Sequence, residues 1–357
     1  MALKLGINLG YWGIGPQGEE AVELVQAAEA AGFESVWAAE SYGSDVVSVL
    51  ASLVSQTTTI KLGAAIMQVP ARPPAAAAMA GATIDALSGG RFIFGFGPSG
   101  PQVSEGWYGV AYPKPWGRTR EYIEIVREII ARQGPLEHHG PHYDLPLTSA
   151  DATGQGKALK LNFHPVRDRI PVFVGAIGSK SVELAAEICE GWIPAFCDPT
   201  RIEEVWGESL ATGFEKGGRT RQDLEVSPTI SVAIDGNLES ARHLVQASLL
   251  LYLGGMGSKE KNFYVDLSER FGYGEEARNV QSLYLDGERE QAYAAVPEEL
   301  VSATSLIGTE EQVADRLSAI EAAGVDRLIV SLAHFDPAER RHTIERLAAL
   351  AGVQAVA

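Results

Sequence analysis

A chain of 357 residues, 46% hydrophobic and 21% charged, has the length for one large or two medium domains and the composition of a soluble globular enzyme. Its net charge of −17 excludes general nucleic-acid binding, which needs Lys and Arg to displace counterions, and any anion site has to be built from local groups. No run of about 18 apolar residues is present to span a membrane, the first residues do not read as a secretory leader, and Cys189 and Cys197 match no metal or redox spacing, so a cytoplasmic protein is expected.

Residues 3–9 alternate and end in Gly10-Tyr11-Trp12-Gly13, a strand running into a glycine-rich loop. From Glu19, the apolar positions Ala21, Leu24, Val25, Ala28 and Ala31 share one helical face; Gly32 closes the helix and 33–37 is the next strand. The same order of helix, glycine and strand recurs at 79–87 before Gly89-Gly90, at 185–190 before Gly191, and at 317–323 before Gly324. Repeated βα units predict a parallel sheet, with strands near 3–9, 33–39, 60–66, 91–97, 171–175, 192–197, 226–234 and 326–332. Eight such units favour an α/β fold of the (β/α)8 TIM-barrel type, with a doubly wound sheet as the alternative. Residues 133–169 read as a long loop carrying a hairpin after strand 4, and 254–304 as a second excursion before strand 8. Thr309 and Gln312 form a capping box that restarts the regular helix. Both excursions belong to one domain covering 1–357.

Residues 89–107 offer Gly95-x-Gly97-x-x-Gly100 after the apolar run Phe92-Ile93-Phe94, on its face a dinucleotide fingerprint. Pro98 and Pro101 crowd the turn, Pro101 fits a loop better than a helix start, and Glu121 and Glu124 fall in a helical pattern instead of closing a strand. A tight strand-to-loop turn is the simpler reading. Strand ends elsewhere carry aromatics, small residues and few ionisable groups, the lining of a pocket for a flat uncharged ring with the chemistry supplied by a cofactor. No His-Glu-x-x-His, carboxylate cluster or Gly-x-Ser-x-Gly is present, so neither a metal nor an acyl nucleophile is expected. His138, His139 and His142 read as a solvated loop face lacking an Asp or Glu partner. The loop Gly175-Ala176-Ile177-Gly178-Ser179 leads into a helix, with Lys180 adding positive charge. It is either a phosphate-binding turn or a plain βα turn with Ser179 as N-cap.

Together these pieces resemble the luciferase-like superfamily, specifically its coenzyme F420-dependent oxidoreductases. The resemblance rests on Gly6-x-x-Leu9-Gly10-Tyr11-Trp12, on Ala38-Ala39-Glu40-Ser41-Tyr42-Gly43-Ser44-Asp45 and on Ala71-Arg72-Pro73. It continues with Leu87-Ser88-Gly89-Gly90-Arg91, Ser99-Gly100-Pro101-Gln102, Val103-x-Glu105-Gly106-Trp107, Val174-Gly175-Ala176 and Gly254-Gly255-Met256-Gly257. It implies a non-proline cis peptide at Ala65-Ile66 facing a deazaflavin ring, with Gln68, Gly97 and the 98–102 turn (Ser99, Gly100, Gln102) along the ring and 175–179 at the cofactor phosphate. It matches Glu40 and Ser41 to an Asp-His pair that holds the ring and moves a proton; Ser41 is no strong base, and the acid of the sugar-phosphate dehydrogenases aligns with Gly100. Tyr42 and His164 are then the leading proton donors, and Tyr11, Trp12, Met67, Trp107, Tyr108 and Tyr252 the substrate side. The implied activity is hydride transfer from reduced coenzyme F420 to an activated C=C, C=N or C=O bond of a small molecule, in a homodimer. FMN-dependent monooxygenation is the alternative.

Overall fold

The computed structural model describes residues 3–10, 15–256 and 262–354. The chain divides into two compact units, one of residues 1–9, 16–37 and 175–357, the other of 10–15 and 38–174. Among the described residues no helix is long and apolar enough to cross a membrane.

In the first unit, Lys4–Gly10 pairs in parallel with Arg327–Leu332, Leu5 opposite Leu328 and Ile7 opposite Val330. Arg327–Leu332 in turn pairs with Thr229–Ile234. The expected strand at 226–234 is two pieces. Glu225–Val226 pairs with Gly191–Ile193, and Thr229–Ile234 crosses to the other neighbours. Pro228, which has no amide to donate, lies between them, and the flanking Ser227 and Thr229 amides still donate to the Trp192 and Pro194 carbonyls at 2.8 and 2.9 Å. A strand absent from the sequence expectation, Ser305–Gly308, pairs in parallel with 231–234. Thr309 and Gln312 then exchange capping bonds at the start of Glu310–Ala322, as the spacing predicts. The described residues between the π-turn Leu251–Gly255 and Ser305 form four helices, packed on a core that includes Val245, Leu249, Val280 and Val301. One buried ionic group sits at the strand beginnings. Arg327, 1% exposed, bonds Glu225 at 2.7 Å and Ser35 at 2.8 Å, and Lys4 adds a 3.1 Å bond to Glu225.

In the second unit, Phe92–Gly97 lies between Lys61–Ala64 and Val172–Gly175, all parallel. Phe92, Phe94 and Phe96 point to one side, their centroids 4.9 and 5.1 Å apart, and Tyr122 of the helix Pro115–Ala131 closes the row at 5.2 Å. Gly81 in the helix Pro74–Leu87 makes room for that row, since a Cβ there would lie 2.1 Å from Phe94. An antiparallel pair, His138–His139 with Asp144–Leu145, follows the helix. Of the three histidines expected on a solvated face, His139 is exposed, whereas His138 and His142 are half-buried beside an acid. The buried Glu121 carboxylate takes His138 Nε2 at 3.2 Å and the His142 and Tyr143 amides at 3.2 Å, while His139 meets Asp144 at 2.5 Å. Glu121 lies on a helix 17 residues upstream of His138, a separation at which sequence spacing shows no pairing.

Candidate cofactor site

Where Lys61–Ala64 ends, the Ala65–Ile66 peptide is cis, and the chain resumes as Met67–Gln68 beside Phe96 and Gly97. The Ala65 amide donates to the Ala38 carbonyl at 2.7 Å and the Glu40 amide to the Ile66 carbonyl at 3.3 Å. Gly95 lies directly against this exit: a Cβ there would stand 1.7 Å from the Ala64 carbonyl oxygen. The first glycine of Gly95-x-Gly97-x-x-Gly100 therefore serves a backbone-to-backbone approach.

Glu40, 5% exposed, organises what lies around it. Its Oε1 accepts from the Gln68 amide at 2.7 Å and from Arg72 Nη1 at 2.8 Å; its Oε2 accepts from Arg72 Nη2 at 2.8 Å and from the Val46 amide at 3.4 Å. Arg72 Nη2 also reaches Asp45, whose carboxylate caps the helix Val46–Leu53 through the Ser48 amide. Burial works against the Arg72 charge, but the bonds and charges of Glu40 and Asp45 outweigh it and raise its pKa. Such a fork-to-fork pair fixes geometry as well as charge.

Gln68 is 4% exposed. Its Nε2 donates to Ser99 Oγ at 2.9 Å, and its Oε1 is buried with no protein partner. Ser99 adopts a left-handed φ of 62°, and its carbonyl accepts from Tyr112 Oη at 3.1 Å. Gly100 then caps a helix, Pro101–Gly106. Pro101 does begin a helix, contrary to the loop expected from sequence, because its fixed φ suits the first helical position, where the missing amide costs nothing. The Gln102 side chain folds back near Gly100.

Ser41 and Tyr42 follow Glu40. The Ser41 carbonyl accepts from Tyr108 Oη at 3.3 Å, and burial, with the Glu40 charge, pushes the Tyr108 phenol up. Tyr42 and Trp107 are 59% and 66% exposed, whereas Met67 is wholly buried. His164 does not join them. It is exposed, 3.4 Å from Arg132 at the C-terminal cap of Pro115–Ala131, and neighbouring Arg167 bonds the Phe92 carbonyl where that strand begins. That is the opposite end of the strand from Gly97 and Ser99.

In the other unit, the loop Gly175-Ala176-Ile177-Gly178-Ser179 has its carbonyls tied back. Ala176 O accepts from Trp192 Nε1 at 2.8 Å, and Ile177 O from Trp206 Nε1 at 2.9 Å and Arg270 Nη1 at 3.1 Å. Gly178, not Ser179, is the N-cap of Ser179–Ile188, and the Ser179 hydroxyl is left to meet Arg270 Nη2 at 3.2 Å. Arg270 also bonds the Val205 carbonyl and lies 5.4 Å from the Trp206 ring; burial lowers its pKa. A cation on uncharged acceptors, beside a helix N-terminus, suits an anion. Lys180 is paired with Glu183 instead. Tyr252 packs on Phe196 and Tyr264 at 3.8 and 4.9 Å, with Phe196 at a left-handed φ of 54°. Tyr11 and Trp12 lie outside the described residues.

Residues 8–327 match the model of the luciferase-like monooxygenase family. The chain belongs to that family. Over 331 residues, 92% of this luciferase-like chain and 95% of its relative, it is 46% identical to a Mycobacterium tuberculosis protein that carries the name coenzyme F420-dependent oxidoreductase. It is 28% identical over 311 residues to the 5,10-methylenetetrahydromethanopterin reductase of Archaeoglobus fulgidus, covering 85% of this chain and 87% of that one. In fold it is similar to the coenzyme F420-dependent tetrahydromethanopterin reductase of Methanopyrus kandleri, with a TM-score of 0.79 at 24% identity and 98% coverage of both chains. Sequence reasoning about this luciferase-like chain missed Arg72 as the partner of Glu40, and it missed Arg270, Trp192 and Trp206 behind the glycine loop. Arg72 was visible in Ala71-Arg72-Pro73 of the family resemblance; the other three carry no local signal.

Proposed function

We propose that this chain is a coenzyme F420-dependent oxidoreductase that reduces an activated C=C, C=N or C=O bond of a small organic molecule. The observation that carries the reading is Gln68 Oε1, a buried acceptor without a protein partner, beside the cis Ala65–Ile66 exit and in a chain 46% identical to a protein named for that cofactor. A buried polar atom left unpaired is destabilising, so a donor on a bound ring fits it. In this reading Gln68, Ser99 and the 65–66 backbone hold the flat ring, with Gly97, Gly100 and Gln102 at its edge. The 175–179 loop with Arg270 holds the phosphate. When bound, the deazaflavin supplies a hydride at its C5.

The protein's own part is to orient and to keep protons in place. Glu40 has its oxygens taken by Arg72 and backbone amides, so it fixes the ring-facing segment. The Tyr108 phenol, kept protonated and anchored on the Ser41 carbonyl, and exposed Tyr42 remain to give the substrate a proton. Gly100 offers no side-chain acid, which argues against sugar-phosphate oxidation. Trp107 and Tyr252 are proposed substrate contacts. We further propose one (β/α)8 barrel with excursions at 133–169 and 254–304, working as a cytoplasmic homodimer. Anaerobic mixing of reduced coenzyme F420 with a panel of enones, imines and ketones tests the activity. Protein-dependent oxidation of the cofactor supports it; oxygen-dependent turnover of reduced FMN alone overturns it.

A further inference from the structure

We infer that Arg72 is a positioning residue acting through Glu40, and that the Gln68 Oε1 it holds in place accepts a hydrogen bond from a ring N–H of the ligand. The inference deepens the reading above and rests on a flat ring occupying that site. Gln68 is pinned at both ends. Its amide donates to Glu40 Oε1 at 2.7 Å, and its Nε2 donates to Ser99 Oγ at 2.9 Å. Neither anchor is loose. Glu40 is gripped by both Arg72 nitrogens, Arg72 is braced on Asp45, and Tyr122 Oη donates to the Arg72 carbonyl at 3.1 Å. Ser99 is fixed through its carbonyl by Tyr112.

What remains is a carboxamide oxygen with no partner in a residue 4% exposed. An oxygen of this kind selects for an N–H or O–H donor and against a ring that presents a methyl group or a lone pair there. The ligand class is therefore a planar heteroaromatic ring with an imide or lactam N–H. Glu40, fully engaged, has no free oxygen for the ring. It acts at one remove, and Arg72 at two.

The test is a ratio of affinities, measured by fluorescence titration for a 5-deazaflavin and the same compound methylated on its imide nitrogen. Wild type should bind the N–H form at least about tenfold more tightly, as the loss of one buried hydrogen bond implies. In Gln68→Ala, or in the isosteric Gln68→Met, the ratio should fall to near one. In folded Arg72→Lys and Glu40→Gln it should fall severalfold. A merely structural role for Arg72 would change stability, or weaken both ligands together, and leave the ratio as in wild type. A wild-type ratio near one, or a ratio unaltered by Gln68→Ala and Gln68→Met, overturns the inference. If deazaflavin does not bind at all, the cofactor reading fails. The same ratio measured with FMN and its N-methyl form, which share the imide, then decides the role of Gln68 by the same criteria.

Discussion

Gly95→Ala adds one methyl group at a point where the structure has no space for it. The new carbon would lie 1.7 Å from the Ala64 carbonyl oxygen and 2.8 Å from its carbon, against 3.4 Å or more for ordinary contact. One backbone would have to retreat by about 1.7 Å to reach ordinary contact. Neither is free to, since Phe92–Gly97 is in register with Lys61–Ala64 on one side and Val172–Gly175 on the other. Overpacking that displaces side chains costs typically about 1–3 kcal/mol. Here the obstacle is main chain, so the top of that range, roughly 3 kcal/mol, is the expected minimum. For a chain of 357 residues, that lowers Tm by roughly 4 °C. Thermal melts followed by far-UV circular dichroism measure it, with Gly106→Ala as the control. No atom lies within 4 Å of a Cβ at Gly106, a helical residue, so that variant should melt at or slightly above wild type. Wild-type melting of Gly95→Ala would refute the close approach, and with it the structural reason for the first glycine of the motif.

Glu225 gives a pH prediction. Burial pushes its carboxyl up, but Arg327 and Lys4 outweigh that and hold it down at about 2, against an ordinary value of 4.5. A depressed pKa stabilises the fold above the unfolded value, and the contribution is lost as pH falls from about 4.5 towards 2. The unfolding free energy of Glu225→Gln, taken from urea titrations, should therefore lie furthest below wild type at neutral pH, by up to about 3 kcal/mol, and the gap should narrow by pH ~3; a gap constant with pH would contradict this. Gly178→Asp has room, its Cβ 3.5 Å from Ser181 Oγ, and an aspartate N-cap favours the helix Ser179–Ile188. Melting temperature should hold or rise, while affinity for a phosphate-bearing deazaflavin falls more than about tenfold and that for the dephosphorylated analogue does not. Unchanged affinity would remove the phosphate from that loop. Arg270→Met should weaken the phosphate-bearing form severalfold with the same selectivity; equal losses for both forms would make Arg270 purely structural.

The parts of the fold legible in the sequence are those with a local signature. Alternation located Lys4–Gly10, the recurring order of helix, glycine and strand located Arg327–Leu332, and a capping box located the start of Glu310–Ala322. Ser305–Gly308 escaped because four residues are too few to show a period, and they abut that box. In the site, Glu40, Gln68 and Ser99 were recognisable through the family resemblance. The Glu40–Arg72 fork joins positions 32 apart, and Arg270 reaches Ser179 from 91 residues away. No spacing rule reports such pairings. His164 shows the converse: a residue suited to proton transfer by type, placed by the chain at the beginning of the strand.

The central claim is the identity of the ring, and one titration addresses it most directly. Purified protein is titrated with coenzyme F420 and with FMN side by side, binding being followed by fluorescence. Micromolar or tighter binding of coenzyme F420, with FMN weaker, is the predicted result. Micromolar FMN binding with none of coenzyme F420 would contradict the account.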